Sequence, residues 1–113
     1  MAEFVTGHLD ELLEKEPAPG VFMRAFAGTG LSVASVRLAP DTTVAAHRHI
    51  AEQVGIVLEG SMEITAGGKT ELVKAGSVYV IDSDVPHAVR VGPNGCRVVE
   101  MFAPARDGVQ RLS

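Results

Sequence analysis

From Val21 onward, short runs of apolar and β-branched residues recur about every 8–12 positions, with Gly, Pro, Asn or Asp in each gap. Runs this short, joined by turns this tight, fold as an antiparallel sandwich or barrel. The expected strands are 21–26, 31–38, 43–47, 54–58, 61–65, 70–73, 78–81, 87–91 and 97–102. Gly67-Gly68 supplies the positive φ of a two-residue hairpin turn, so 62–65 should pair antiparallel with 70–73. Only the stretch before Val21 reads as helix. Leu9, Leu12 and Leu13 stand at i, i+3 and i+4, with Glu11, Glu14 and Glu16 around them, until Pro17 and Pro19-Gly20 end the pattern. The expectation is an all-β, antiparallel chain with a short N-terminal helix: a helical segment over 1–20 and a β-domain over 21–113. Exposed sheet edges are a hazard in such folds, and dimerisation is one way to cover them.

Several function classes drop out on composition. A chain of 113 residues fits one domain with a real core. A net charge of −4 without a Lys/Arg cluster argues against nucleic acids and anionic membranes as partners. The single cysteine, Cys96, excludes an internal disulfide and a cysteine-rich zinc site. No apolar run approaches the ~20 residues of a membrane span, and the opening Met1-Ala2-Glu3-Phe4 has neither the basic nor the apolar part of a secretory leader. A cytoplasmic globular protein is expected.

The chemistry concentrates in histidines. His47 and His49 are two apart, so on a strand they project from one face. Gln53 and Glu52 follow within a short loop, and His87 opens a later strand directly after Pro86. Two imidazoles from one strand and a third from a neighbour suit a divalent transition metal. A lone His-x-His is equally an exposed strand pair, and a lone His87 a turn residue, so the surroundings must decide.

Those surroundings resemble the two signature motifs of the cupin superfamily. His47-Arg-His49, three further residues, Gln53, six further residues and Gly60 match the first; Gly76, a strand, Val85-Pro86 and His87 match the second. Asp82 and Asp84 stand where Pro and Gly are usual, and Asp is one of the few residues besides Gly that tolerates a left-handed turn. The resemblance covers about residues 34–103 and implies a double-stranded β-helix, the cupin or jelly-roll barrel, usually dimeric. It also implies His47, His49 and His87 as ligands of one divalent metal (Zn, Ni, Mn or Fe). Counting back from Gly60 puts Gln53 at the fourth-ligand position, with Glu52 one step earlier. Strand parity (47, 49, 53) favours Gln53 and turns Glu52 outward.

The tail Glu100-Met-Phe102-Ala-Pro104-Ala-Arg106 is similar to that of a small-cupin group that includes pectin-degradation proteins, which convert unsaturated monouronates to linear keto sugars. That resemblance implies Glu100 as a general acid/base where the family has Asp, Phe102 as a pocket wall and Arg106 as a carboxylate anchor. The ligand would be a small carboxylated or oxygen-rich molecule. Bland roles compete: Glu100 as an exposed strand carboxylate, Phe102 and Met23, Met62 and Met101 as core, Arg24 and Arg37 as solvated positions. Tyr79 is undecided, and Cys96 reads as inert. Three functions stay open: a metal-dependent isomerase or lyase, an Fe(II) dioxygenase, and a metal-retaining sensing module without catalysis. The direction of Glu100 discriminates, since catalysis needs it inside the barrel.

Overall fold

A computed structural model describes residues 3–112; Met1, Ala2 and Ser113, the outermost positions of the leader reading and of the two expected segments, lie outside it. Eight strands form: β1 (Glu14–Ala18), β2 (Val21–Ala27), β3 (Ser32–Leu38), β4 (Thr43–His47), β5 (Glu52–Ala66), β6 (Lys69–Lys74), β7 (Val78–Ile81) and β8 (His87–Ala103). All of their pairings are antiparallel.

β5 and β8 organise the barrel by pairing along nearly their whole lengths. The first half of β5 and the second half of β8 lie in one layer with β7 on one side and β3, β2 and β1 on the other. Their remaining halves form the opposing layer with β6 and β4. The changeover sits at register shifts between Val57 and Glu59 and between Gly60 and Met62. The alternation reverses across these shifts: Gln53, Gly55 and Val57 are buried, then Met62 and Ile64. β8 does the same, from His87 and Val91 to Cys96, Val98 and Phe102. Each half therefore keeps its apolar side inward, and Val36, Leu38, Val57, Met62, Ile64, Val91 and Val98 fill the space between the layers. Gly60 (φ 74°) faces Gly95 (φ 76°) at this corner, and a Cβ at Gly60 would collide with the Gly95 carbonyl oxygen.

Strands 43–47 and 78–81 form at the expected bounds, and the 62–65/70–73 hairpin pairs in the expected register around Gly67 (φ 57°) and Gly68 (φ 79°). Asp84 does take a left-handed conformation, with φ 65°. Two expectations change. The four segments 54–58, 61–65, 87–91 and 97–102 are two continuous bent strands, because a glycine bulge reads in sequence as a turn. The N-terminal helix shrinks to one 3-10 turn, Leu9–Glu11, followed by β1. Of the three leucines only Leu12 is buried, and Leu13 is 67% exposed. The Arg24 guanidinium donates to the carbonyls of Asp10 and Leu12 at 3.2 and 2.6 Å, acceptors that a helix would have used itself. Arg24 is thus a clamp for this segment. Arg37 lies 4.3 Å over the Phe22 ring, 3.8 Å from the Glu14 carboxylate.

Candidate metal centre

β4 ends at His47, opposite His87 at the start of β8, and His49 lies just past the strand end. The two are not on one regular strand face, since β4 shifts register between Val44 and His47 and ends there, yet both rings lie against His87. Ring centroids are 4.3 Å apart for His47 and His87, 5.0 Å for His49 and His87, and 5.9 Å for His47 and His49. One ring nitrogen from each lies within 4.8 Å of the others. His87 is buried, His49 half-buried and His47 exposed, so the cluster runs from the barrel interior to its rim.

The three rings are oriented in one way. Each Nδ1 meets a backbone carbonyl oxygen: His47 that of Ala45 at 2.9 Å, His49 that of Ala51 at 2.8 Å, His87 that of Val85 at 2.9 Å. A carbonyl oxygen only accepts, so Nδ1 carries a proton, and in the neutral ring Nε2 then keeps its lone pair, the tautomer of a metal-ligating histidine. Among the described residues, the His87 Nε2 is the one buried side-chain nitrogen or oxygen without a hydrogen-bond partner. Burial lowers the His87 pKa, opposed by the Val85 carbonyl and helped by the nearby His47 and His49 rings. An orphaned buried nitrogen beside two further imidazoles fits a divalent transition ion.

Gln53 is buried and Glu52 exposed. The Gln53 Oε1 lies 3.1 Å from the His49 Nε2, and its amide nitrogen donates to the Glu100 Oε2. Glu100 points into the barrel, where the Tyr79 hydroxyl also donates to Oε2 at 2.6 Å. Burial raises the Glu100 pKa, while the bonds from Tyr79 and Gln53 pull it down. The Tyr79 pKa is raised, first by burial and then by the Glu100 charge. Phe102 is part of the core: it is 7% exposed, and its ring meets the His49 ring edge-on at 5.7 Å. The Arg106 guanidinium stacks 5.2 Å over Phe102, its backbone N–H held by the Ser32 hydroxyl at 3.0 Å. Cys96 is buried in β8 rather than in a turn, and burial raises its thiol pKa.

Tyr79 is the residue that sequence reasoning left undecided. The signal for it was Gly55, a glycine inside a strand, which marks a close approach. Gly55 pairs with both Tyr79 and Glu100, and a Cβ on it would strike the Tyr79 ring. Gly55→Ala is expected to displace that ring and destabilise the chain by about 1–3 kcal/mol, read as a lowered thermal midpoint. An unchanged midpoint would show that the ring is free to move. Surface grooves of about 390 and 260 Å³ lie elsewhere, lined by residues such as Glu63 and Arg90, or Glu59 and Arg97, and reach none of the histidines.

The model of the cupin domain matches residues 34–102. The chain is a cupin. Among curated proteins this cupin is 33% identical over 67 residues to the HTH-type transcriptional regulator PuuR of Escherichia coli (strain K12), and equally to that of Shigella flexneri. Those matches take in 58% of this chain and 36% of the regulators, so the chain spans only about a third of the relatives it matches. Among solved structures it resembles an RmlC-like cupin from Shewanella frigidimarina NCIMB 400 (20% identity, 95% of both chains, TM-score 0.81). KdgF from Halomonas sp. is similar (21%, 95% of this chain and 97% of that one, TM-score 0.80). So is the oxalate decarboxylase of Lactobacillus farciminis (16%, 92% of this chain and 34% of that one, TM-score 0.81). At these identities the structures speak for the fold.

Proposed function

We propose that this cupin is a metal-dependent enzyme acting on a small carboxylated or oxygen-rich molecule, by sugar-acid isomerisation or lyase chemistry. The observation that carries the reading is Glu100: a carboxylate inside the barrel, one amide away from three imidazoles. His47, His49 and His87 through Nε2, and Gln53 through Oε1, would hold one divalent ion, Zn, Ni, Mn or Fe. A bound ion of this kind polarises a substrate carbonyl or hydroxyl. Tyr79 and Gln53 occupy the Glu100 Oε2, and Oε1 is the oxygen available to take a proton from a substrate hydroxyl and return it to carbon. Phe102 walls the pocket, and Arg106, stacked on that wall, offers two N–H groups to a substrate carboxylate.

The tail resemblance makes an unsaturated monouronate the substrate of choice. The test is to load the protein with Zn²⁺, Ni²⁺ or Mn²⁺ and follow the ultraviolet absorbance of the conjugated double bond of that uronate. Conversion above the metal-only control is expected; none with any of the three ions rejects the isomerase reading.

The similarity to a transcriptional regulator favours one other function, a module that keeps the metal and binds its ligand without turnover. Binding of the uronate without conversion would select it. We take the working form to be a cytoplasmic homodimer. Val54 and Ile56 pair with Val80 and Val78 in an outward apolar patch, with Val78 72% and Val80 63% exposed, a face suited to a second copy. The one buried, unpaired cysteine suits a reducing compartment.

A further inference from the structure

We propose that Glu100 is the positioning residue of the Gln53 amide: held by Tyr79, it accepts from the amide NH₂ and so turns the amide oxygen toward the three imidazoles. This deepens the metal-centre reading and rests on it.

A primary amide has nearly the same shape after a half-turn, so its partners decide which end faces which way. On one side of Gln53 stands the Glu100 Oε2, which accepts both from the Gln53 amide nitrogen and from the Tyr79 hydroxyl. On the other stands the His49 Nε2, 3.1 Å from the Gln53 Oε1. The His49 Nδ1 carries its proton to the Ala51 carbonyl, so in the neutral ring Nε2 has only a lone pair to offer. In this neutral, metal-ligating form of His49, Oε1 and Nε2 face each other as two acceptors, an arrangement that a shared cation relieves; without a cation, a proton on Nε2 can serve the same pair.

The reversed amide would satisfy His49 and set its oxygen against a carboxylate oxygen. Glu100 is thus the group that selects the orientation in which Gln53 can be a ligand. Tyr79 holds that carboxylate in place from the neighbouring strand β7, and Gly55 leaves the room for its ring. Three strands meet here to aim one oxygen: Gln53 from β5, Tyr79 from β7 and Glu100 from β8. Outer partners of this kind set metal affinity by about 10–100-fold.

The test is calorimetric titration of Zn²⁺ and of Mn²⁺ into the metal-free full chain. Wild type, Glu100→Gln, Glu100→Leu, Gln53→Ala and the double variant Gln53→Ala/Glu100→Leu are compared, with circular dichroism as the check on folding. Glutamine at position 100 keeps an oxygen that accepts from Gln53 and Tyr79; leucine fills the space and accepts nothing. Affinity is expected to stay within about threefold for Glu100→Gln and to fall about 10–100-fold for Glu100→Leu. In the Gln53→Ala background, where no amide is left to orient, Glu100→Leu should change affinity less than about twofold. If the leucine variant does not fold, Tyr79→Phe removes one donor and carries the same cycle. A Glu100→Leu loss that persists undiminished without Gln53, or a Glu100→Gln loss equal to it, overturns the proposal and leaves the metal centre standing. Failure of the wild type to bind either ion overturns both.

Discussion

Replacing His87 by alanine is expected to lower bound divalent metal at least about tenfold while the chain stays folded. His87 is 3% exposed and its Nε2 meets no protein partner, so the substitution takes a hydrogen bond only from the Val85 carbonyl, which Nδ1 contacts at 2.9 Å. What it removes is the innermost of three imidazoles whose Nδ1 protons are all fixed on backbone carbonyls. The remaining cost is a cavity, on the order of 2–5 kcal/mol for a large side chain cut to alanine. His47→Ala gives the same loss of metal more cleanly, because His47 is exposed at the rim and leaves no internal void. Metal content and circular dichroism of the two variants check the result together. Unchanged metal in both folded variants would remove these histidines from the ligand set.

Glu100→Gln should keep the metal and lose turnover by about 10²–10⁴-fold, the usual worth of a positioned acid/base. Glutamine preserves the side chain's length and one accepting oxygen, so Tyr79 and Gln53 keep their partner. It cannot take and return a proton. Burial works in the same direction, holding the carboxyl above the ordinary carboxylate range and so nearer the pH at which an acid/base group is useful. The measurement is turnover of the unsaturated monouronate alongside metal content. Unaltered turnover at full metal occupancy would take Glu100 out of the chemistry and favour the binding module.

Much of this architecture was legible because tight turns write themselves in residue types. Gly67-Gly68 set the hairpin register, and Asp84 does the work of a glycine at φ 65°. Pairs that close across the barrel left weaker traces. Gly60 and Gly95 look like turns along the chain, and only their mutual contact shows them to be the corner of two continuous strands. The leucines at 9, 12 and 13 carried a helical period that Arg24 overrode by taking the backbone carbonyls. At the site, the resemblance to the cupin motifs pointed to His47, His49, Gln53 and His87, and parity along the strand anticipated that Gln53 is buried and Glu52 exposed. Tyr79 escaped because its partner Glu100 is 21 residues away in sequence and the two meet only across Gly55.

The most direct test of the metal centre is elemental analysis of the protein purified without an affinity tag, before and after incubation with Zn²⁺, Ni²⁺, Mn²⁺ and Fe²⁺. Close to one equivalent of a divalent transition metal per chain is the expected result. Less than about a tenth of an equivalent of every ion, persisting after each incubation, would contradict it and leave the three imidazoles as a metal-free cluster.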